Sequence, residues 1–244
     1  MPFTFSHPAA VLPLALLPAR WISITGLVIG STAPDFEYFF RLNIYSAYSH
    51  SKLGIFWFDL PLTILLAFVF HLIVRDRLIE NLPGFLARRL IVFKKFNWTA
   101  YFKTNFIVVV ISAIIGICSH ILWDHFTHPA GYFVEQISVL KDSYSIVGYA
   151  THGYNIAQHL STLVGGLIIL FVVLKLPADK NYKNTKSIFP FWFLAVGIAL
   201  LVLVMRFLTG LQFEEYGRII ITGISGGLIG LIIASVVFPL KHTT

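Results

Sequence analysis

Charge is the scarcest commodity in this chain. Asp, Glu, Lys and Arg make up 12% of its 244 residues, against roughly 25% in soluble domains. With 57% hydrophobic residues, too little polar surface is left to cover a globule of this size. A soluble enzyme and a disordered chain are therefore excluded. Cysteine is nearly missing: Cys118 stands alone, so an intrachain disulfide, a disulfide scaffold and a CxxC thiolate site are excluded too. No Lys or Arg precedes the first apolar run, so that run is not expected to be a cleaved signal peptide. Apolar residues run continuously rather than alternating, which excludes a membrane β-barrel. The lack of a His-His pair disfavours an integral di-iron hydroxylase or desaturase. What remains is an integral membrane protein, and its +7 formal charge reads better as membrane topology than as a nucleic-acid footprint.

Long apolar runs are what the chain does have. A membrane-crossing helix needs about 20 predominantly apolar residues. Five stretches qualify: Ile55–Val74, Asn105–Trp123, His159–Leu176, Ile188–Leu208 and Arg218–Phe238. All are too long for buried strands. The expected fold class is all-α, a polytopic transmembrane helix bundle forming one membrane domain over residues 1–244. Pro8–Pro18 and Trp21–Pro34 are apolar but each is too short to span. Residues 1–34 therefore read as a re-entrant helical hairpin, with a single kinked span as the alternative.

Charge sets the expected orientation. The segment 75–104, the lysines at 175, 180, 183 and 186, and Lys241 hold twelve of the 18 basic residues and three acids. The opposite side holds five basic residues and eight acids, with Arg20 in the N-terminal hairpin. Basic loops stay cytoplasmic, so the C-terminus is expected inside a cell (inner) membrane. Segment 75–104 is then a cytoplasmic amphipathic loop lying on the anionic leaflet, and 124–158 is an outer loop.

The histidines were not used in that assignment, yet seven of nine fall on one side. His7, His50, His125, His128 and His152 lie in outer segments, and His120 and His159 in the outermost turns of spans. Asp35, Asp59 and Asp124 share that level. His242 is in the tail. His71 is expected to place an amphipathic ring near the inner headgroups. The densest motif runs from Ser119 to His128. His120 and Asp124, four residues apart, share a helix face. His128 continues it until Pro129 intervenes, while His125 is rotated away as an outer partner. His152 and His159 are seven apart, about two turns, and share a face if that helix extends so far. A lone histidine near a helix end is ordinarily just interfacial. An aspartate beside two histidines in an apolar span is costly and points to function, here a divalent metal, with zinc the expected ion. Phe5-Ser6-His7-Pro8-Ala9 is echoed at Phe126-Thr127-His128-Pro129-Ala130, each read as a histidine before a helix that opens on proline. The stripe Gly223, Ser225, Gly226, Gly227, Gly230 and Ala234 reads as close helix packing.

The opening Met1-Pro2-Phe3-Thr4-Phe5-Ser6-His7-Pro8-Ala9-Ala10-Val11-Leu12-Pro13-Leu14 and the later Gly30-Ser31-Thr32-Ala33-Pro34-Asp35 resemble an uncharacterised bacterial membrane family, domain of unknown function 4184. More distantly, Pro34-Asp35, Ser49-His50-Ser51 and His120-xxx-Asp124-His125 look like the membrane-bound metal-dependent hydrolases, which are similar to zinc-dependent phospholipase C. That resemblance implies metal ligation by Asp35, His50, His120, Asp124 and His128, completed by His7 and one of His152 or His159. It departs at a later His-xxx-Glu pair, where this chain has Ile156 and Leu163; one metal position is then absent, filled by Glu135, or filled by neither. The function expected is metal-dependent hydrolysis of a phosphoester or ester on a lipid-like substrate, with Asp35 or a free histidine such as His125 as general base. Membrane lipids are the expected partners, and nucleic acid is not. The rivals are a transporter or channel with a histidine proton relay, and a structural membrane protein with a metal-stabilised outer face.

Overall fold

The computed structural model describes residues 3–146, 148–182 and 187–238. Lys183, Lys186, Lys241 and His242, which enter the readings above, lie outside the described residues.

Five helices are long and apolar enough to cross a membrane: Ile55–Glu80, Phe106–Gln136, Gly153–Lys175, Phe189–Leu208 and Tyr216–Val237. They fall where the five apolar runs predict. Within the second, the helix Phe106–Thr127 has 22 residues, about 33 Å of rise against a hydrocarbon core about 30 Å thick. Pro129 explains where it stops. A residue before proline is pushed out of the helical region, and His128 is extended at φ −120° and ψ 146°. The first crossing helix continues past Val74 to Glu80, through π-helical stretches at Ile55–Asp59 and Phe70–Val74.

Contacts divide the expected single membrane domain into two compact units, each discontinuous in sequence. The first unit comprises Met1–Asp35, Tyr48–Ile64 and Asn105–Val172. Its N-terminus forms the two short helical stretches read from the sequence, Thr4–Leu16 and Ile24–Gly30. They pack through Val11, Ile22 and Leu27. Ser23 caps the second by accepting from the Gly26 amide, satisfying a donor the helix cannot. This helix crosses Phe106–Thr127 backbone to backbone. A Cβ on Gly26 would lie 2.8 Å from the Val109 carbonyl oxygen. One on Gly30 would collide with the Ala113 carbonyl, and one on Gly116 would lie 2.8 Å from the Ser31 nitrogen. The Ser23 amide donates to Ser112 Oγ at 2.8 Å in the same crossing. Small residues permit this approach.

Segment 124–158, expected as an outer loop, is largely regular. After Thr127 come short helices at Tyr132–Gln136 and Ser138–Lys141. An antiparallel hairpin follows, pairing Ser143–Ile146 with Tyr149–His152, with Gly148 at φ 83° in its turn. This hairpin is the one departure from an all-α chain among the described residues. The next helix begins at Gly153, so His152 sits on a strand and does not share a helix face with His159.

The second unit comprises Phe36–Ala47, Leu65–Thr104 and Val173–Thr244. Phe189–Leu208 packs on Tyr216–Val237 through part of the predicted small-residue stripe. Gly226 faces Ala199, Gly230 faces Ala195, and Ser225 and Ala234 are buried, whereas Gly223 and Gly227 face open space. Segment 75–104, expected as an amphipathic loop, is largely helical. It folds into helices Arg75–Glu80, Gly84–Leu90 and Trp98–Thr104, burying Arg75, Ile79, Ala87 and Trp98. Phe85, Val92, Phe93, Arg88 and Lys95 remain exposed. His71 also departs from expectation. Its ring is buried and stacks on Trp98 at 4.8 Å and 9°, and its Nδ1 lies 3.0 Å from the Arg75 guanidinium. It is a packed residue of this unit rather than a headgroup anchor.

Candidate metal centre

Four side chains of the first unit converge: Asp35, His50, His120 and Asp124 each offer one ligand atom, all within 4.8 Å of one another. His120 and Asp124 come from one face of Phe106–Thr127, as their i, i+4 spacing requires. Asp35 ends the short 3-10 turn Ala33–Asp35 that follows the glycine-bearing helix, so the tight crossing at Gly30 and Gly116 sets its distance from His120. His50 arrives on a loop. Its φ of 59° is left-handed, which costs an L-residue roughly 1–2 kcal/mol; local contacts hold it there. Ser49 Oγ lies 2.9 Å from His50 Nδ1, Ser51 Oγ donates to the Tyr48 carbonyl, and the Gly54 amide donates to Ser51 Oγ. A side chain at Gly54 would run into the Tyr48 carbonyl.

His120 Nε2 lies 3.4 Å from both Asp35 Oδ1 and Asp124 Oδ2. His50 Nε2 lies 3.3 Å from Asp124 Oδ2 and 3.7 Å from Asp35 Oδ1. These are too long for good hydrogen bonds. Asp35 Oδ1, His120 Nε2 and both Asp124 carboxylate oxygens are buried without a hydrogen-bond partner. Leaving such atoms unpaired is expensive. Four ligands placed tetrahedrally about 2.0–2.1 Å from a zinc-like ion are about 3.3–3.4 Å apart, close to the spacing seen between the imidazoles and the carboxylates. Two imidazoles with two carboxylates are also a suitable donor set, whose two negative charges one divalent cation neutralises.

The outer partners fit the same use. His120 Nδ1 lies 2.7 Å from the Ser31 carbonyl oxygen; a carbonyl only accepts, so Nδ1 carries the proton and Nε2 presents its lone pair. Thr4 Oγ1 donates to Asp35 Oδ2 at 2.5 Å. Thr4, Ser31 and Ser49 were not singled out in the sequence. A side-chain hydroxyl or a backbone carbonyl leaves no distinctive pattern there.

The remaining expected site residues divide into neighbours and outliers. His7 stacks on His120 at 3.8 Å and 18°, with Nε2 3.8 Å from Asp124 Oδ1. Burial pulls its pKa down to about 3, so the ring is uncharged. His128 Nδ1 lies 3.5 Å from Asp124 Oδ1 and donates to the Asp124 carbonyl at 3.1 Å. Both therefore flank the far oxygen of Asp124 and stand outside the four-residue group. His125 faces away: it is exposed, and its Nδ1 accepts the Tyr132 amide. His152 is exposed and stacks on Tyr154, and His159 is exposed; neither belongs to the group. Glu135 pairs instead with Lys141 at 2.8 Å. Of the paired motifs, Pro8 does open a helix after His7, whereas Pro129 precedes a turn, and the next helix begins at Tyr132.

The fold and the group define the class: a polytopic helical membrane protein with a His/Asp cluster that could hold a metal ion. The chain belongs to the family described as Domain of unknown function (DUF4184), whose model matches residues 1–236. No curated protein and no solved structure matches the chain.

Proposed function

We propose that the chain is a membrane-embedded, zinc-dependent hydrolase that cleaves an ester or phosphoester of a lipid-like substrate at the outer interface. The observation that carries this reading is the convergence of Asp35, His50, His120 and Asp124, with Asp35 Oδ1, His120 Nε2 and both Asp124 carboxylate oxygens buried and without a hydrogen-bond partner. A bound divalent ion supplies Lewis-acid polarisation of the ester and makes water acidic enough to attack near neutral pH. The chain's own residues do the rest. Ser31 fixes the His120 tautomer, Thr4 holds the second oxygen of Asp35, and His7 and His128 orient Asp124 from its far side. Asp35, expected as general base, is better used as a ligand, since Thr4 holds one of its oxygens and the other faces His120 and His50.

Hydrolysis is tested with bis-p-nitrophenyl phosphate and p-nitrophenyl esters on purified protein in lipid nanodiscs. Turnover should fall by at least about a hundredfold on chelation, return with zinc, and be lost in Asp35→Asn. Turnover indifferent to chelation and to Asp35→Asn would remove the reading.

The outer placement rests on charge asymmetry and is tested separately. In a Cys118→Ser background, cysteine at Ser145 should label from outside intact cells, and cysteine at Asn181 only after permeabilisation. Both positions are exposed. The reverse pattern would put the site on the cytoplasmic side.

A further inference from the structure

Beside the metal group the first unit contains a cavity of about 160 Å³. Its walls include Ala9 and Ala10 of the N-terminal stretch, Trp123 of Phe106–Thr127, and Val164 and Ile168 of Gly153–Lys175. Two serines also line it, but both hydroxyls are spent on backbone: Ser6 Oγ donates to the Thr162 carbonyl and Ser161 Oγ to the Ala157 carbonyl. The cavity is therefore apolar in effect and offers water few partners. Apolar cavities of about this volume stay dry and accept a benzene-sized hydrocarbon. Trp123, Val164 and Ile168 are partly exposed on membrane-crossing helices, so the cavity opens toward the surface those helices present to lipid.

Its inner wall is His7, the ring that stacks on His120 and approaches Asp124. His7 thus borders both the cavity and the metal group. The wall is held by the N-terminal segment clamped onto Gly153–Lys175. The Phe3 amide donates to Thr162 Oγ1 at 3.0 Å, and a Cβ on Gly165 would lie 2.8 Å from the Ser6 carbonyl oxygen.

We propose that this cavity seats a short length of one hydrocarbon chain of the substrate, drawn from the bilayer, so that the substrate's ester group lies at the Asp35–His50–His120–Asp124 cluster. The role of the chain as part of a substrate rests on the hydrolase reading; the site for the chain does not. An apolar chain gains from leaving no void against Ala10, Val164 and Ile168, and bulk lipid lacks a headgroup placed to bind the metal.

The test uses decyl phosphate carrying a terminal diazirine, added to zinc-loaded protein in nanodiscs, with labelled peptides identified by mass spectrometry. Label should concentrate on residues 6–10 and 161–168, and be displaced by unlabelled decyl phosphate but not by ethyl phosphate. Ala10→Phe and, independently, Ile168→Trp should each cut it about tenfold by filling the space the chain would occupy, with zinc content unchanged. Label spread evenly over the five crossing helices, or unchanged in both variants, would overturn the proposal. Confined labelling without any ester turnover would uphold the chain site and sink the hydrolase reading. Metal-dependent turnover with unconfined labelling would do the opposite.

Discussion

Asp124→Ala is expected to strip the protein of its divalent metal. Asp124 holds the group together: one carboxylate oxygen lies within 3.4 Å of both His50 Nε2 and His120 Nε2, and the other faces His7 and His128. Removing it leaves three donors and two imidazoles without their shared anion. His120→Ala should do the same, because its Nε2 touches both carboxylates. Metal affinity should fall by more than about 100-fold in each, beyond the 10–100-fold typical of outer partners. His128→Gln, which among the four grouped residues contacts Asp124, should stay within that outer-partner range. His71→Gln is the control. It belongs to the second unit and should leave metal content intact while costing about 1 kcal/mol of stability through the lost Trp98 stack. Metal content measured on purified variants decides the matter. Retention in both alanine variants would leave these residues as ordinary buried partners.

Gly30→Val should produce the second-largest effect, although Gly30 touches no ligand. Even a Cβ there meets the Ala113 backbone carbonyl, which cannot rotate away as a side chain could. The helix Ile24–Gly30 must back off from Phe106–Thr127, carrying the Ser31 carbonyl away from His120 Nδ1 and Asp35 away from His120 Nε2. Overpacking of this kind costs about 1–3 kcal/mol, sometimes more. Losing the Ser31 contact adds a fall in metal affinity of about 10–100-fold. Gly84→Ala, at a glycine whose Cβ would meet nothing within 4 Å, should change neither quantity. Thermal unfolding and metal titration of both variants read the two effects; equal behaviour of the two would show that the crossing does not set the site.

These two experiments also mark what was legible in the sequence. Apolar length located all five crossing helices, because hydrophobic runs of that size have few other uses in a chain so poor in charge. The His120–Asp124 pair was legible because both residues sit on one unbroken helix, where spacing dictates direction. Asp35 and His50 came within reach through their side of the membrane and through family resemblance. Nothing local says that a 3-10 turn and a left-handed loop residue point at that helix. His152 and His159 do not share a helix face, because the helix their spacing would need begins only at Gly153. The glycines at 26, 30 and 116 were passed over in favour of the denser stripe near 226, since two small-residue faces far apart in sequence show no shared pattern until they meet. His71 looked like an interfacial ring because its partners, Trp98 and Arg75, are brought to it by the folding of segment 75–104.

X-ray absorption at the zinc edge of the purified, zinc-loaded protein tests the central claim most directly. The account predicts a shell of nitrogen and oxygen at about 2.0–2.1 Å with the outer scattering of two imidazoles, reduced to one imidazole in His50→Ala if that variant retains any zinc. No tightly bound metal, or a shell of oxygen alone without imidazole, would contradict it.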